Sequence, residues 1–161
     1  EVKMRRRRPE RRSINPDQKF NDLEISKFIN YLLKEGKKGT AEKIFYTSLD
    51  IVQEKTKKDP VDIFKKALNN AAPHVEVKSR RIGGATYQVP IEVPSSRQFY
   101  LSSHWIIESA KNKSGSNMSN RLASEIIAAS NNEGNAIKKK EDTHRMAEAN
   151  KAFAHFGRGG R

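Results

Sequence analysis

The stretch EVKSRRIGGATYQVPIEV, Glu76–Val93, decides how the chain is read. Its flanks are rich in Val and Ile, yet Lys78, Arg80 and Arg81 crowd its first half and it breaks at Gly83-Gly84. Val75 and Val77 alternate with Glu76 and Lys78; after the break, Tyr87, Val89, Ile91 and Val93 alternate with Gln88, Pro90 and Glu92. A period of two predicts strands. Two glycines that accept positive φ predict a reversal within Arg80–Ala85. The result is a two-stranded ribbon at about 74–93. A lone hairpin is marginal in water unless it packs or binds, so its base should rest on helices while its tip stands clear. Arg80 and Arg81 then project far from the core, where guanidinium groups suit phosphate forks and base faces. The competing reading is a solvated tip with incidental charge.

On either side the apolar period changes to that of helices. Ile25, Phe28, Ile29, Leu32 and Leu33 form one face that ends by Gly36. Thr40 is a candidate N-cap for a second helix with Ala41, Ile44, Phe45, Ser48 and Val52 on one stripe. Asp59 before Pro60 marks a third start, and Ile63, Phe64, Ala67, Leu68 and Ala71 follow as its buried face. A fourth helix starts at Ser95 or Ser96 and carries Leu101, Trp105 and Ile106, with Trp105 expected in the core. Met118, Leu122, Ala123, Ile126 and Ala129 predict a fifth. The sixth, about Ala136–Phe156, is poorly amphipathic. The fold class is therefore mainly α: a bundle of about six helices with one protruding two-stranded β-hairpin.

Both ends read differently. Residues 1–19 hold six arginines, two prolines and almost no apolar content, which predicts a basic, disordered N-terminal arm that orders on a partner. Residues 20–156 form the helical domain, and 157–161, in GRGGR, form a flexible tail. No apolar segment follows the early arginines, so a secretory signal is not expected. The arginines alone leave an organellar transit peptide open, with Glu1 and Glu10 counting against it.

The chain has 161 residues, with 32 Lys+Arg against 19 Asp+Glu and a formal net charge of +13. A folded chain carries such self-repulsion most readily when a polyanion neutralises it. Nucleic acid leads; a membrane does not, because no apolar run approaches the roughly 20 residues of a span. Besides the ribbon with its Lys78, three further clusters carry the charge: Arg5, Arg6, Arg7 and Arg8 with Arg11 and Arg12; Lys37-Lys38; and Lys138, Lys139 and Lys140, with Arg145 beyond. Lys37-Lys38 reads equally as turn chemistry; for the lysine triplet, the poor amphipathicity of its helix favours a binding face over a merely solvated one. Cysteine is absent, which excludes disulfides and thiolate metal sites. His74, His104, His144 and His155 show no two-histidine metal spacing, and Ile82–Ala85 (IGGA) lacks the spacing of a phosphate loop. No catalytic residue, metal or cofactor is expected.

Four segments carry a resemblance: KFINYLLKEGKKGTAEKIFY (27–46), ALNNAAPHVEVKSRRIGGATYQVPIEV (67–93), RLASEIIAASNNEGNAIKKKEDTHRMAEANKAFAHF (121–156) and the basic arm. Over nearly its whole length the chain resembles the bacterial and organellar ribosomal small-subunit protein S-seven family. The resemblance implies a structural protein of the ribosome, in a bacterial cytoplasm or an organelle. It would bind the 3′ major domain of small-subunit ribosomal RNA, nucleate assembly of the subunit head, and meet neighbouring small-subunit proteins near the exit-site tRNA and the mRNA exit channel. Carried over by segment, Arg80, Arg81, Gly83 and Gly84 would reach toward exit-site tRNA. The arm, Lys37, Lys38, Lys78, Lys138–Lys140 and Arg145 would face ribosomal RNA. Two places depart from the family pattern: VPSSRQFYLSSHW has a single basic residue where relatives are often richer, and GRGGR follows FAHF. The rival class is a DNA-bending architectural protein with a basic β-arm. Such arms usually carry an apolar wedge, and this tip offers only Ile82.

Overall fold

The computed structural model describes residues 12–157; Arg5–Arg8, Arg11 and residues 158–161 of the expected tail lie outside them. Six α-helices run in chain order: α1 (Leu23–Leu32), α2 (Lys38–Thr56), α3 (Pro60–Ala71), α4 (Ser95–Asn112), α5 (Met118–Ser130) and α6 (Asn135–Ala149). Between α3 and α4 lie β1 (Val75–Ile82) and β2 (Ala85–Glu92), and a 3-10 helix at Lys151–Gly157 follows α6. The expected mainly helical bundle with one antiparallel hairpin is thus what the chain forms. No helix among the described residues is long and apolar enough to cross a membrane.

Side-chain caps mark three of the six helix starts. Asp22 accepts from the Glu24 N–H at 2.7 Å, Asp59 from Val61 at 2.8 Å with Pro60 behind it, and Asn117 from Asn120 at 3.0 Å. Thr40 is not a cap: α2 begins at Lys38, with Lys37 in the capping position and no side-chain cap bond. The Asp22 carboxyl also pairs with Lys65 of α3. Burial pushes its pKa up, but the hydrogen bonds from Lys65 and the backbone outweigh that and leave it below the usual value.

The core is an aromatic triangle inside an aliphatic shell. Phe28, Phe45 and Phe64 are fully buried, with ring centroids 5.3, 4.9 and 5.2 Å apart pairwise. The expected faces of α1, α3 and α5 supply most of the shell. Trp105 packs against this core half-buried, while Ser102, Ser103 and Ser109 occupy the innermost face of α4 alongside Ile106, Ile107 and Ala110.

Glu125 sets where α6 begins. Its carboxylate is fully buried; Oε1 accepts from the Ala136 N–H at 3.0 Å, and Oε2 meets Lys113 Nζ at 2.7 Å. An anion is favoured there because a helix N-terminus presents unpaired N–H groups and the positive end of its dipole. Gly134 precedes that turn at φ 95°, ψ 173°, a region open to glycine alone. A Cβ there would sit 2.9 Å from Glu125 Oε1 and 3.1 Å from the Ala128 Cβ.

Beyond Ala149 the chain departs from the single long helix expected to Phe156. The Asn150 side chain donates to the Met146 carbonyl at 2.8 Å and closes α6. The chain then tightens so that Phe153 and Phe156 turn onto Tyr87 of β2, at 5.4 and 5.2 Å. Gly134→Ala is expected to lower unfolding stability by about 1–3 kcal/mol or more from backbone strain alone. Urea denaturation measures it; an unmoved midpoint would show that α6 does not need this turn.

Candidate nucleic-acid interface

The hairpin turns on Gly83 and Gly84, both at positive φ (56° and 87°), with Ile82 paired to Ala85. Positive φ at both central residues is the two-residue turn whose twist matches the strands. That turn also fixes the register. It pairs Glu76 with Ile91, Lys78 with Val89, and Arg80 with Tyr87. Directly opposed residues share a face, so the apolar face of β2 lies beside the charged residues of β1 and not beside Val75 and Val77. Accordingly Val89 is fully buried and Glu76 is buried, whereas Val75 and Val77 are only half-buried.

The buried Glu76 carboxylate is met by cations. Arg97 of α4 donates to Oε2 from Nη2 at 3.2 Å and Nε at 3.4 Å, and Lys78 Nζ lies 3.5 Å from Oε1. This network ties the ribbon base to α4. Arg97 was not singled out as a binding residue in the sequence. The available signal was Glu76, an acid at an inward position once the glycine turn sets the register.

The two tip arginines are not equivalent. Arg80 lies on the packed face, half-buried, and its Nη1 donates to the Phe156 carbonyl at 3.0 Å. Arg81, opposite Thr86, is exposed. One guanidinium thus fastens the C-terminal 3-10 helix to the ribbon, and the other faces solvent.

The lysine triplet divides in the same way. Lys140 Nζ donates to the Asn70 carbonyl at 2.7 Å and Lys139 pairs with Glu108 of α4 at 2.6 Å. Lys138 is exposed and has no ion-pair partner among the described residues. Arg145 is highly exposed, 3.4 Å from Asp142 on its own helix. Lys37 and Lys38 lie at the start of α2 beside Glu35 (3.0 Å) and Glu42 (3.9 Å), both pairs exposed. Surface pairs of this kind contribute little and are screened by salt, so they leave these cations available to a phosphate. Arg12 is exposed; a few residues on, Asp17 is buried and accepts from the Tyr46 hydroxyl at 2.6 Å, which fixes where the N-terminal segment leaves the helices. Burial and that bond push the Tyr46 pKa up, so the phenol remains a donor at neutral pH.

Where β1 begins, the His74 N–H donates to His144 Nε2 of α6 at 3.1 Å. Burial, with Lys140 and His74 nearby, holds the His144 pKa below the usual value, which keeps that nitrogen an acceptor. Among the described residues no cluster of three or more His, Asp or Glu could hold a metal ion. Exposed cations are distributed over α2, the ribbon and α6 of one helical body, an arrangement that presents positive charge to a polyanion over an extended surface.

Comparison with known proteins agrees with that class. The family model described as ribosomal protein S7p/S5e matches residues 4–151. Small ribosomal subunit protein uS7 of Thermotoga maritima is 58% identical over 153 residues, covering 95% of this chain and 99% of the relative. Proteins of the same name from Anaeromyxobacter sp. (57% over 152 residues) and Bartonella quintana (55% over 152 residues) each match over 94% of this chain and 97% of their own. The chain belongs to the ribosomal protein S7p/S5e family. Membership makes it a structural, RNA-binding protein of the small ribosomal subunit.

The unequal roles of the tip arginines are separable by hydrogen exchange. Arg80→Ala should speed amide exchange across 151–157, and Arg81→Ala should leave it unchanged. Equal effects would mean that the Phe156 carbonyl bond does not hold the C-terminal segment.

Proposed function

We propose that the protein is a primary RNA-binding component of the subunit head. It binds the 3′ major domain of small-subunit ribosomal RNA directly and nucleates folding of the head around it. Its hairpin tip extends toward exit-site tRNA, close to the mRNA exit channel, and its remaining surface meets neighbouring small-subunit proteins. The observation that supports this most is the ribbon: one face is fastened to the helical body, while Arg81 stands exposed beside the Gly83-Gly84 turn.

The mechanism is charge neutralisation by the arm and by several places on one helical body. Arg5–Arg8, Arg11 and Arg12 of the arm, Lys37 and Lys38, Lys78, Lys138–Lys140 and Arg145 meet phosphates of converging RNA helices and fix their relative placement. Lys139 and Lys140 do so while holding α6 to α4 and α3. The A-form major groove is too narrow for side chains, so recognition uses shape, 2′-hydroxyls and junction geometry. At the tip, Gly83 and Gly84 let a tRNA backbone approach Arg81, with Arg80 anchoring the ribbon behind it.

Filter binding across a salt series tests this. A folded 3′ major-domain RNA junction should bind more tightly than duplex DNA of equal length. Log K should fall with log salt by about 0.7–0.9 per phosphate neutralised. Removal of residues 1–12 should flatten the RNA slope. Equal or tighter binding to DNA would favour a DNA-bending protein, and an unchanged slope would remove the arm from the interface.

A further inference from the structure

The geometry points to a subsite between α1 and α4 that stacks an unpaired RNA base. It rests on the RNA-binding reading above and deepens it. Tyr31 of α1 stands among three rings of α4: Phe99 at 6.1 Å, Tyr100 at 5.6 Å and nearly perpendicular, and His104 at 4.9 Å. Tyr100 and His104 lie 4.0 Å apart with their planes 32° from parallel. The phenylalanine triangle in the core has no exposed surface, but here Tyr100 is 37% exposed and Tyr31, Phe99 and His104 are half-buried. Part of each ring therefore remains open to a further partner.

Cations rim these rings. The Arg97 guanidinium lies 5.1 Å from the Tyr100 centroid, and Lys27 Nζ lies 6.0 Å from that of Phe99. Lys27 and Tyr31 fall four residues apart along α1, so they share a face. The buried Glu76 carboxylate holds Arg97 in place from the ribbon side. Aromatic faces beside a fixed guanidinium and a lysine match how proteins take single-stranded RNA, with the base on the ring and its phosphate on the cation. Lysine is depleted in protein-binding patches, so Lys27 beside the rings favours RNA over a protein partner. His104 adds a polar edge: Nδ1 donates to the Tyr100 carbonyl at 2.9 Å, which leaves Nε2 to accept from an exocyclic amine or a 2′-hydroxyl. Helix α4 thus contacts RNA through rings where its sequence offers a single basic residue near its start.

The test is the affinity of the full chain for the folded 3′ major-domain RNA fragment, measured over a salt series. Tyr100→Ala should weaken binding roughly five- to a hundred-fold, the range for loss of one base-stacking aromatic. The salt slope should stay at the wild-type value because no phosphate contact is removed. Tyr100→Phe and Tyr100→Trp should retain affinity, and ultraviolet crosslinking should leave a nucleotide adduct on Tyr100 or Tyr31. If Tyr100→Ala loses its fold, His104→Ala interrogates the same stack. Unchanged affinity in these variants, with wild-type binding and its slope intact, overturns the subsite, spares the broader RNA reading and leaves the surface to a protein partner. A slope that falls with affinity also overturns it, because charge and not stacking would then be at work. Failure of the wild-type chain to bind the fragment at all overturns both.

Discussion

The placement of the C-terminal third of the molecule depends on one buried carboxylate. Glu125 has no exposed surface, and it is stable there because Lys113 and the first turn of α6 meet its two oxygens. Removing the Lys113 ammonium would leave an uncompensated charge in the interior, a change that typically costs about 3–5 kcal/mol. From that point the dependence runs outward. Helix α6 packs on α4 and β1, its end turns into the 3-10 helix, and that helix covers β2 through Phe153, Phe156 and the Arg80 bond. The hairpin is therefore held from behind by a segment whose own position Glu125 sets.

A second clamp acts at the ribbon base. Glu76 pins Arg97 and Lys78, so one of the few acids in this part of the chain organises two cations. Together the clamps solve a problem set by a net charge of +13: like charges repel, yet those used for binding must be held in a defined array. Buried acids fix some cations as structural ties, and the remainder stay exposed on the same framework. Preorganisation of this kind lowers the ordering cost on association.

Much of this was legible in the residues, and the misses share a cause. The helix faces, the Asp59-Pro60 start and the glycine reversal follow from local periodicity and cap chemistry, which one segment determines alone. The inward position of Glu76 follows from strand register, a relation between two segments, though the two-residue turn was enough to derive it. Glu125 carries no local signal of its role, because its partners lie 11 and 12 positions away on either side. Arg80 and Arg81 are adjacent and chemically identical, and strand alternation sends them to opposite faces. That the C-terminal segment covers the Arg80 face is a long-range contact with Phe156 that no local rule gives. The aromatic cluster between α1 and α4 was hidden for a similar reason: Tyr31 and Tyr100 lie far apart in sequence, and neither interrupts its helical pattern.

The central claim is a division of labour in which the body binds RNA and the fastened ribbon presents Arg81 to tRNA. Its most direct test is exit-site tRNA occupancy on purified ribosomes carrying Arg81→Ala. The substitution is exposed and should change folding by no more than about 0.5 kcal/mol, and the arm and helices still carry most phosphate contacts. The account predicts normal assembly of the head with reduced retention of exit-site tRNA. Normal tRNA retention, or a head that fails to assemble, would contradict it and make the hairpin tip an assembly anchor.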